Sequence, residues 1–280
     1  MRIDPNKIGI IAGSGQFPLL FIKAAQEAGR IVVVIAHKGE TTAAVAAAAD
    51  VVCWVKLGQL GKIVRFFHDE GVGEAVFLGA ITKTQIFRDV FPDLKGLTLW
   101  NKIDSRQDDA ILRAVANALE REEIKILEST LYLRHLLFPA GVLTKKKPSQ
   151  EQRLDIEFGW RNARAIGHLD IGQCVVVRNR TVLAVEAIEG TDAAILRGGM
   201  LAKEKAVVVK IKKPSQDFRF DLPATGLKTI ESLTSVKGAV LAVEAGQSLL
   251  FDRDIMIRTA DKKGLVIVGI TEKPDGTLEF

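Results

Sequence analysis

The feature that most constrains the fold is an opening alternation of apolar strand, glycine turn and helix. Ile8–Ala12 is an apolar run that stops at Gly13-Ser14-Gly15, and Phe17–Ala28 then carries apolar residues at helical spacing, with Pro18 in its first turn and Gly29 as its stop. The β-branched run Ile31–Ala36 follows, then Val51–Val55, a helical pattern over Leu60–Glu70 that ends at Gly71, and a fourth strand at Ala75–Leu78. A helix over Asp108–Glu122 leads into Ile124–Leu127. Strands that are apolar throughout belong in a parallel sheet covered by helices on both faces. Residues 1–135 therefore read as a Rossmann-like domain.

A composition shift at Phe138-Pro139-Ala140-Gly141 and a basic stretch closed by Pro148 mark the boundary, leaving 136–280 as a second domain. Ser149-Gln150-Glu151-Gln152 has the form of a capping box and opens a helix to about Ala165. Cys174–Val177 and Thr181–Ala187 flank Arg178-Asn179-Arg180 as a hairpin. Further strands are expected at Ala206–Ile211, Ala239–Val243, Ser248–Leu250 and Leu265–Ile270, with helices over Asp192–Arg197, Leu227–Val236 and Asp252–Lys262. Hairpins among helices predict a C-terminal α/β domain with a mixed sheet. Leu-Ala-Val-Glu-Ala occurs at 183–187 and again at 241–245, which is too little to define a repeat.

With 280 residues, 48% hydrophobic and 26% charged, the composition is that of a globular chain long enough for two cores, and it excludes collagen-like, disordered and disulfide-rich classes. Asp50 interrupts the Ala43–Val55 run, and Glu244 and Gln247 interrupt Ala239–Phe251, so no membrane span is expected. The apolar run after Lys7 is too short for a signal-peptide core. Cys53 and Cys174 lie far apart inside apolar runs and are expected to be buried thiols in a reducing compartment, hence a cytoplasmic protein. Net charge is +5, and aromatic residues, 6% of the chain, do not interleave with the lysines, which argues against nucleic acid as a partner. Positive charge clusters at Lys145-Lys146-Lys147 and at Lys203, Lys205, Lys210, Lys212 and Lys213. The first cluster reads either as a solvated linker or as attraction to a phosphorylated ligand or an anionic membrane.

Three constellations could carry chemistry. Gly13-Ser14-Gly15-Gln16-Phe17-Pro18 joins a strand to a helix, where backbone N–H groups can face a phosphate, although a tight turn is an equal reading. Pro18 replaces the third glycine of a dinucleotide fingerprint, and His37-Lys38 stands where an acidic residue would meet a ribose, which argues against NAD. Glu186-Ala187-Ile188-Glu189-Gly190-Thr191-Asp192 ends an apolar strand with three carboxylates; an inward Glu186 needs a divalent cation, a lysine or a substrate hydroxyl, while on a solvent face Thr191 or Asp192 would simply cap a helix. The stretch Lys210–Pro223 packs three lysines, Arg219 and the carboxylates Asp217 and Asp221 into a proline-bounded loop. Such groups suit a diphosphate with a hard cation, or a surface ion-pair network. Glu244-Ala245-Gly246 repeats the carboxylate at a strand end. HExxH, paired CxxC and GxSxG are absent, the histidines His37, His68, His135 and His168 are scattered, and no base is identifiable for Ser14 as a nucleophile.

Gly9–Gly15 with Pro18, Asp108–Leu112, Pro139–Leu143, Asp170–Gln173, Ala184–Asp192, Lys213-Pro214 with Gln216, Arg219–Pro223 and Val243–Gly246 together resemble the LpxI family, the UDP-2,3-diacylglucosamine pyrophosphatases of lipid A biosynthesis. The resemblance runs in order from about Ile8 to Ile270, and its EGTD and RFDLP segments are specific. Two departures are Ser105-Arg106-Gln107 before Asp108, where a glycine is usual, and Ala224-Thr225 after Pro223, where Thr-Ile or Ala-Ile is frequent. The resemblance implies Mg2+-dependent hydrolysis of UDP-2,3-diacylglucosamine to 2,3-diacylglucosamine 1-phosphate (lipid X) and UMP, with water attacking the phosphorus next to the sugar. It also implies a homodimer and a cytoplasmic enzyme peripheral to the inner membrane of a Gram-negative bacterium. On this resemblance Asp221, Glu186 and Asp192 are the catalytic candidates, with Asp221 also the metal ligand. Gly13, Ser14, Gly15, Asp108, Asp109, Glu189, Gly190, Thr191, Lys213, Gln216, Arg219 and Glu244 are the substrate-binding candidates. A non-catalytic nucleotide-sugar or lipid-binding protein would use the same glycine turn and lysines without needing the acidic set.

Overall fold

The computed structural model describes residues 3–81, 92–100 and 108–280. It divides into two compact units: residues 1–134 together with Asp217–Asp221, and His135–Gln216 together with Leu222–Phe280.

The first unit runs β1 (Lys7–Ala12), α1 (Phe17–Glu27), β2 (Ile31–His37), α2 (Ala43–Ala48), β3 (Val51–Val55), α3 (Leu60–Asp69), β4 (Glu74–Leu78), α4 (Leu94–Trp100), α5 (Asp108–Glu120) and β5 (Lys125–Ile126). Its sheet has the order β3-β2-β1-β4-β5, with every pair parallel. This is a doubly wound order, and the expected parallel sheet is present. Ile10 lies between Val34 and Val76 in register, and helices cover both faces, which is why β1 and β2 tolerate no polar residue between Ile8 and Ala36 on their inner positions. The helix α3 buries Leu60, Ile63, Val64 and Phe67, the spacing read from the sequence. The short α2, whose Val45 N–H is accepted by the Thr42 hydroxyl, was not signalled by periodicity because its residues are almost all alanine. Cys174 is buried as expected, but Cys53 is only half-buried: β3 is the sheet's edge strand, so part of it faces outward.

The second unit carries β6 (Gly141–Val142), α6 (Gln150–His168), β7 (Cys174–Arg178), β8 (Thr181–Val185), α7 (Thr191–Ala202), β9 (Val207–Lys210), β10 (Ala224–Thr225), α8 (Leu227–Ser235), β11 (Val240–Glu244), β12 (Leu249–Leu250), α9 (Arg253–Lys263), β13 (Val266–Glu272) and β14 (Leu278–Glu279). The main sheet has the order β14-β13-β11-β9-β7-β8, with β6 also on β13. Strands β9, β11 and β13 are parallel and the flanking pairs antiparallel, which is the expected mixed sheet. Alternation along each strand splits the core. Val175, Val177, Val207, Val209 and Val240 meet Ile156, Trp160 and Ala163 of α6, while Cys174, Val176, Val208, Leu241 and Val243 meet Ile195, Ile230, Leu233 and Met256. The capping box at Ser149 forms as read: its hydroxyl accepts from Gln152 N–H and the Gln152 side chain accepts from Ser149 N–H.

Candidate functional site

Two strand-to-helix turns hold most of the candidate residues. After β1, Gly13 N–H donates to Leu78 O at 2.8 Å and Ser14 N–H to Ala80 O at 2.7 Å, and the Ser14 hydroxyl donates to the same Ala80 oxygen at 2.8 Å. A Cβ on residue 13 would collide with Ala80 O, so this close backbone approach requires glycine. The turn is therefore stitched to the segment after β4, and its two leading N–H groups face protein carbonyls rather than an anion. At the foot of the turn, Ala12 O accepts from Thr41 Oγ1 at 2.6 Å and lies 3.0 Å from His37 Nδ1. Burial pushes the His37 imidazole below its ordinary pKa, against the opposing pull of the Ala12 carbonyl and Glu40. Asp108 and Asp109 open α5; their side chains lie outside the described residues.

After β8 the situation is different. Glu186 is 6% exposed; its Oε1 accepts from Thr191 Oγ1 at 2.9 Å, and its Oε2 is buried with no hydrogen-bond partner. The inward reading of Glu186 holds, and the helix-capping alternative does not, since Gly190 is the N-cap and Thr191 and Asp192 lie in the first turn of α7. Glu186 follows β8 where its N–H donates to Cys174 O, and Lys210 pairs with Cys174 from the other side, so Lys210, Cys174 and Glu186 form a row across three strands. The Cys174 thiol is pushed far up by burial and then by the Glu186 charge, with Lys210 opposing and Asp192 adding a smaller push. Lys210 is buried and donates to Ala224 O at 2.7 Å. Gly172 lets the chain before β7 close over Glu186, because a Cβ there would strike the Glu186 carbonyl. Asp192 accepts from Thr229 at 3.5 Å and pairs with Lys228 at 3.4 Å. Glu189 is exposed and pairs with Arg197 at 2.6 Å, which holds its carboxyl below the usual range.

The loop after β9 is braced internally. Lys213 Nζ meets Asp170 Oδ1 at 2.7 Å, and the buried Gln216 accepts from Lys213 N–H at 2.8 Å. Residues 217–221 then belong to the first unit. Ser129 donates to Phe218 O through both N–H and hydroxyl, Arg219 pairs with Glu120 at 3.0 Å, and Phe220 meets Phe77 edge-on at 5.9 Å. Arg219 is also gripped by Asp217 at 2.8 Å, a pairing that raises the guanidinium pKa and lowers that of Asp217. Asp221, half-buried, donates its N–H to Asp217 O at 2.9 Å.

Glu244 lies on the other face of the second sheet. Arg164 Nη2 donates to one of its oxygens and Lys212 N–H to the other, both at 2.8 Å, which makes Glu244 a brace for the loop rather than an open ligand group. Arg164 also reaches Glu272 at 3.2 Å and stacks over Trp160; Arg164, Lys212, Glu244 and Glu272, with His168, Pro214 and Gln247, line a cavity of about 480 Å³. Arg164 escaped the sequence reading; its signal was a cation four residues beyond Trp160, next to the buried stripe of α6.

Among the described residues, no three His, Cys, Asp or Glu side chains converge into a metal-binding group. Magnesium commonly leaves several positions to ligand phosphate oxygens, so a single carboxylate beside a diphosphate would be enough to help hold it. No helix among the described residues is long and apolar enough to cross a membrane.

The fold and these turns define a two-unit α/β protein, with a parallel sheet in doubly wound order and a buried acidic turn on a mixed sheet. Residues 7–136 match the LpxI N-terminal domain and residues 139–268 the LpxI C-terminal domain. Over 278 residues the chain is 34% identical to the UDP-2,3-diacylglucosamine pyrophosphatase LpxI of Caulobacter vibrioides, covering 95% of this chain and 98% of that protein. The chain belongs to the LpxI family. Among solved structures, the biotin carboxylase subunit of a pyruvate carboxylase aligns with TM-score 0.27 and 14% identity over 65% of this chain and 35% of its own. A Rhizobium etli pyruvate carboxylase aligns with TM-score 0.30 and 12% identity over 68% of this chain and 17% of its own. This chain thus spans well under half of the length of those enzymes.

Proposed function

We propose that this chain hydrolyses UDP-2,3-diacylglucosamine to lipid X and UMP. The match to the Caulobacter vibrioides relative supports the substrate. The observation that carries the chemistry is Glu186, a buried carboxylate with one oxygen fixed by Thr191 and the other left without a partner. A buried acceptor in that condition is costly unless a ligand or water completes it. In the proposed reaction, water forms a bond to the sugar-side phosphorus and gives up its proton to Glu186 Oε2. The bridging oxygen leaves with UMP. Lys213 and Arg219, held in place by Asp170 and Asp217, neutralise phosphate charge. Asp221 would hold magnesium with the diphosphate oxygens, and magnesium when bound would offset their charge and polarise the attacked phosphorus. We further propose that the protein works as a homodimer in the cytoplasm, peripheral to the inner membrane.

UMP release from the lipid substrate, with magnesium or with EDTA, tests this reading directly. Substrate binding without UMP release would leave a non-catalytic carrier. Hydrolysis in 18O-water should label lipid X; label in UMP would move the attack to the other phosphorus. Asp221→Ala should lower kcat by about 10²–10⁴-fold while the melting temperature and substrate binding persist. Near-normal turnover in that variant would remove Asp221 from the chemistry.

A further inference from the structure

The helix α7 departs from the pattern of a surface helix. Its inner face, Ala194, Ile195, Gly198, Gly199 and Ala202, is buried. Its outer face is apolar too: Ala193 and Leu196 are exposed, as are Met200 at 68% and Leu201 at 62%. Ile188, in the turn that precedes it, is 82% exposed. Between Ala193 and Leu201 this face carries one charge, Arg197, whereas a surface helix ordinarily turns a charged and polar face to solvent. The contrast is α6, which turns Glu151, Arg153, Glu157 and Arg161 outward.

Cations gather at the C-terminal end of this helix. Lys203 and Lys205 follow the C-terminal end of α7, and Lys205 N–H donates to Lys237 O at 2.7 Å, which brings a third exposed lysine alongside. The nearby carboxylate Glu204 is paired with Arg178 at 3.7 Å, and Arg197, within the face, is paired with Glu189. Lysine is depleted from protein–protein interfaces, whereas an apolar helix face with lysines at one end suits the surface of an anionic lipid layer. We propose that the outer face of α7, with Ile188 and the cluster of Lys203, Lys205 and Lys237 at its C-terminal end, is the surface by which this protein rests on an anionic lipid layer. The inference rests on the proposed lipid substrate, and the turn carrying Glu186 opens this same helix.

The test is sedimentation of the full chain with phosphatidylcholine vesicles that contain or lack phosphatidylglycerol, at low and high salt. Binding is expected only with phosphatidylglycerol present. Leu196→Glu with Met200→Glu should lower partitioning by about tenfold or more. Replacing Lys203, Lys205 and Lys237 by alanine should cost about fivefold per lysine at low salt and less at high salt. Both variants should release UMP from substrate in detergent micelles at the wild-type rate. Melting temperatures check the fold, and Leu196→Gln with Met200→Gln is a milder pair should glutamates prevent folding. The proposal is overturned if the wild type binds neither vesicle, if the apolar variants bind as well as the wild type, or if light scattering shows a wild-type dimer that the same substitutions split. A wild type that binds anionic vesicles but releases no UMP would overturn the proposed function and leave this surface standing.

Discussion

The turns after β1 and after β8 are built from the same parts, an apolar strand, a glycine-containing bend and a helix, yet they satisfy their polar groups differently. In the first, Gly13, Ser14 and His37 find protein partners at Leu78, Ala80 and Ala12. In the second, Glu186 keeps a buried oxygen without one. A turn whose donors and acceptors are consumed internally holds the fold together. A turn that leaves a buried carboxylate half-satisfied destabilises the free protein slightly and has something to offer a ligand.

The comparison predicts opposite responses to mutation. The largest effect is expected for Glu186→Gln, which should reduce kcat by about 10²–10⁴-fold with the melting temperature unchanged or higher, because a buried charge is removed. Steady-state UMP release and a thermal melt check both halves; a variant that unfolds while its folded fraction turns over normally would make the second turn structural. Gly13→Ala should act the other way. Forcing a Cβ against Ala80 O should cost about 1–3 kcal/mol, a fall of several degrees in melting temperature.

Smaller effects sharpen the contrast. Ser14→Ala removes one hydroxyl bond to Ala80 and should cost about 1 kcal/mol of stability while leaving KM within about twofold. A tenfold rise in KM would instead place Ser14 on the substrate. The smallest effect is the pH response of His37. Its pKa is depressed in the folded chain, so as pH falls the unfolded state takes up the proton first. Its contribution to stability is complete above about pH 6.5 and is lost as pH falls toward the lower folded value. Melts between about pH 7.5 and 5 should show the wild type losing on the order of 2–4 °C more than His37→Gln. Equal slopes would mean that His37 does not brace the first turn.

Much of the fold was legible. Runs such as Ile31–Ala36 and Val240–Val243 are apolar on both sides, the mark of central strands, and α3 repeats its buried residues at 3.6-residue spacing. Capping at Ser149 was equally plain, because a local hydrogen-bond exchange needs only residues 149 and 152. The site was legible in residue type but not in partner. Glu186, Lys213, Arg219 and Glu244 were identifiable as charges near strand ends; that Glu244 is occupied by Arg164 and Lys212 while Glu186 is half-free was not.

What the sequence determined by itself was therefore the class of the longer elements and of the two sheets, while short ones such as α2, α4 and β14 left no pattern, since periodicity and capping are properties of neighbouring residues. Only the tertiary structure decided that Asp217–Asp221 leaves the half of the chain it belongs to in sequence and packs in the first unit, through Phe220 on Phe77 and Arg219 on Glu120. It alone also decided which face of the second sheet received Glu186 and which received Glu244. Several of these choices depend on partners far along the chain, Arg164 for Glu244 and Glu120 for Arg219, and hydrophobic periodicity carries no information about which distant group completes a charge.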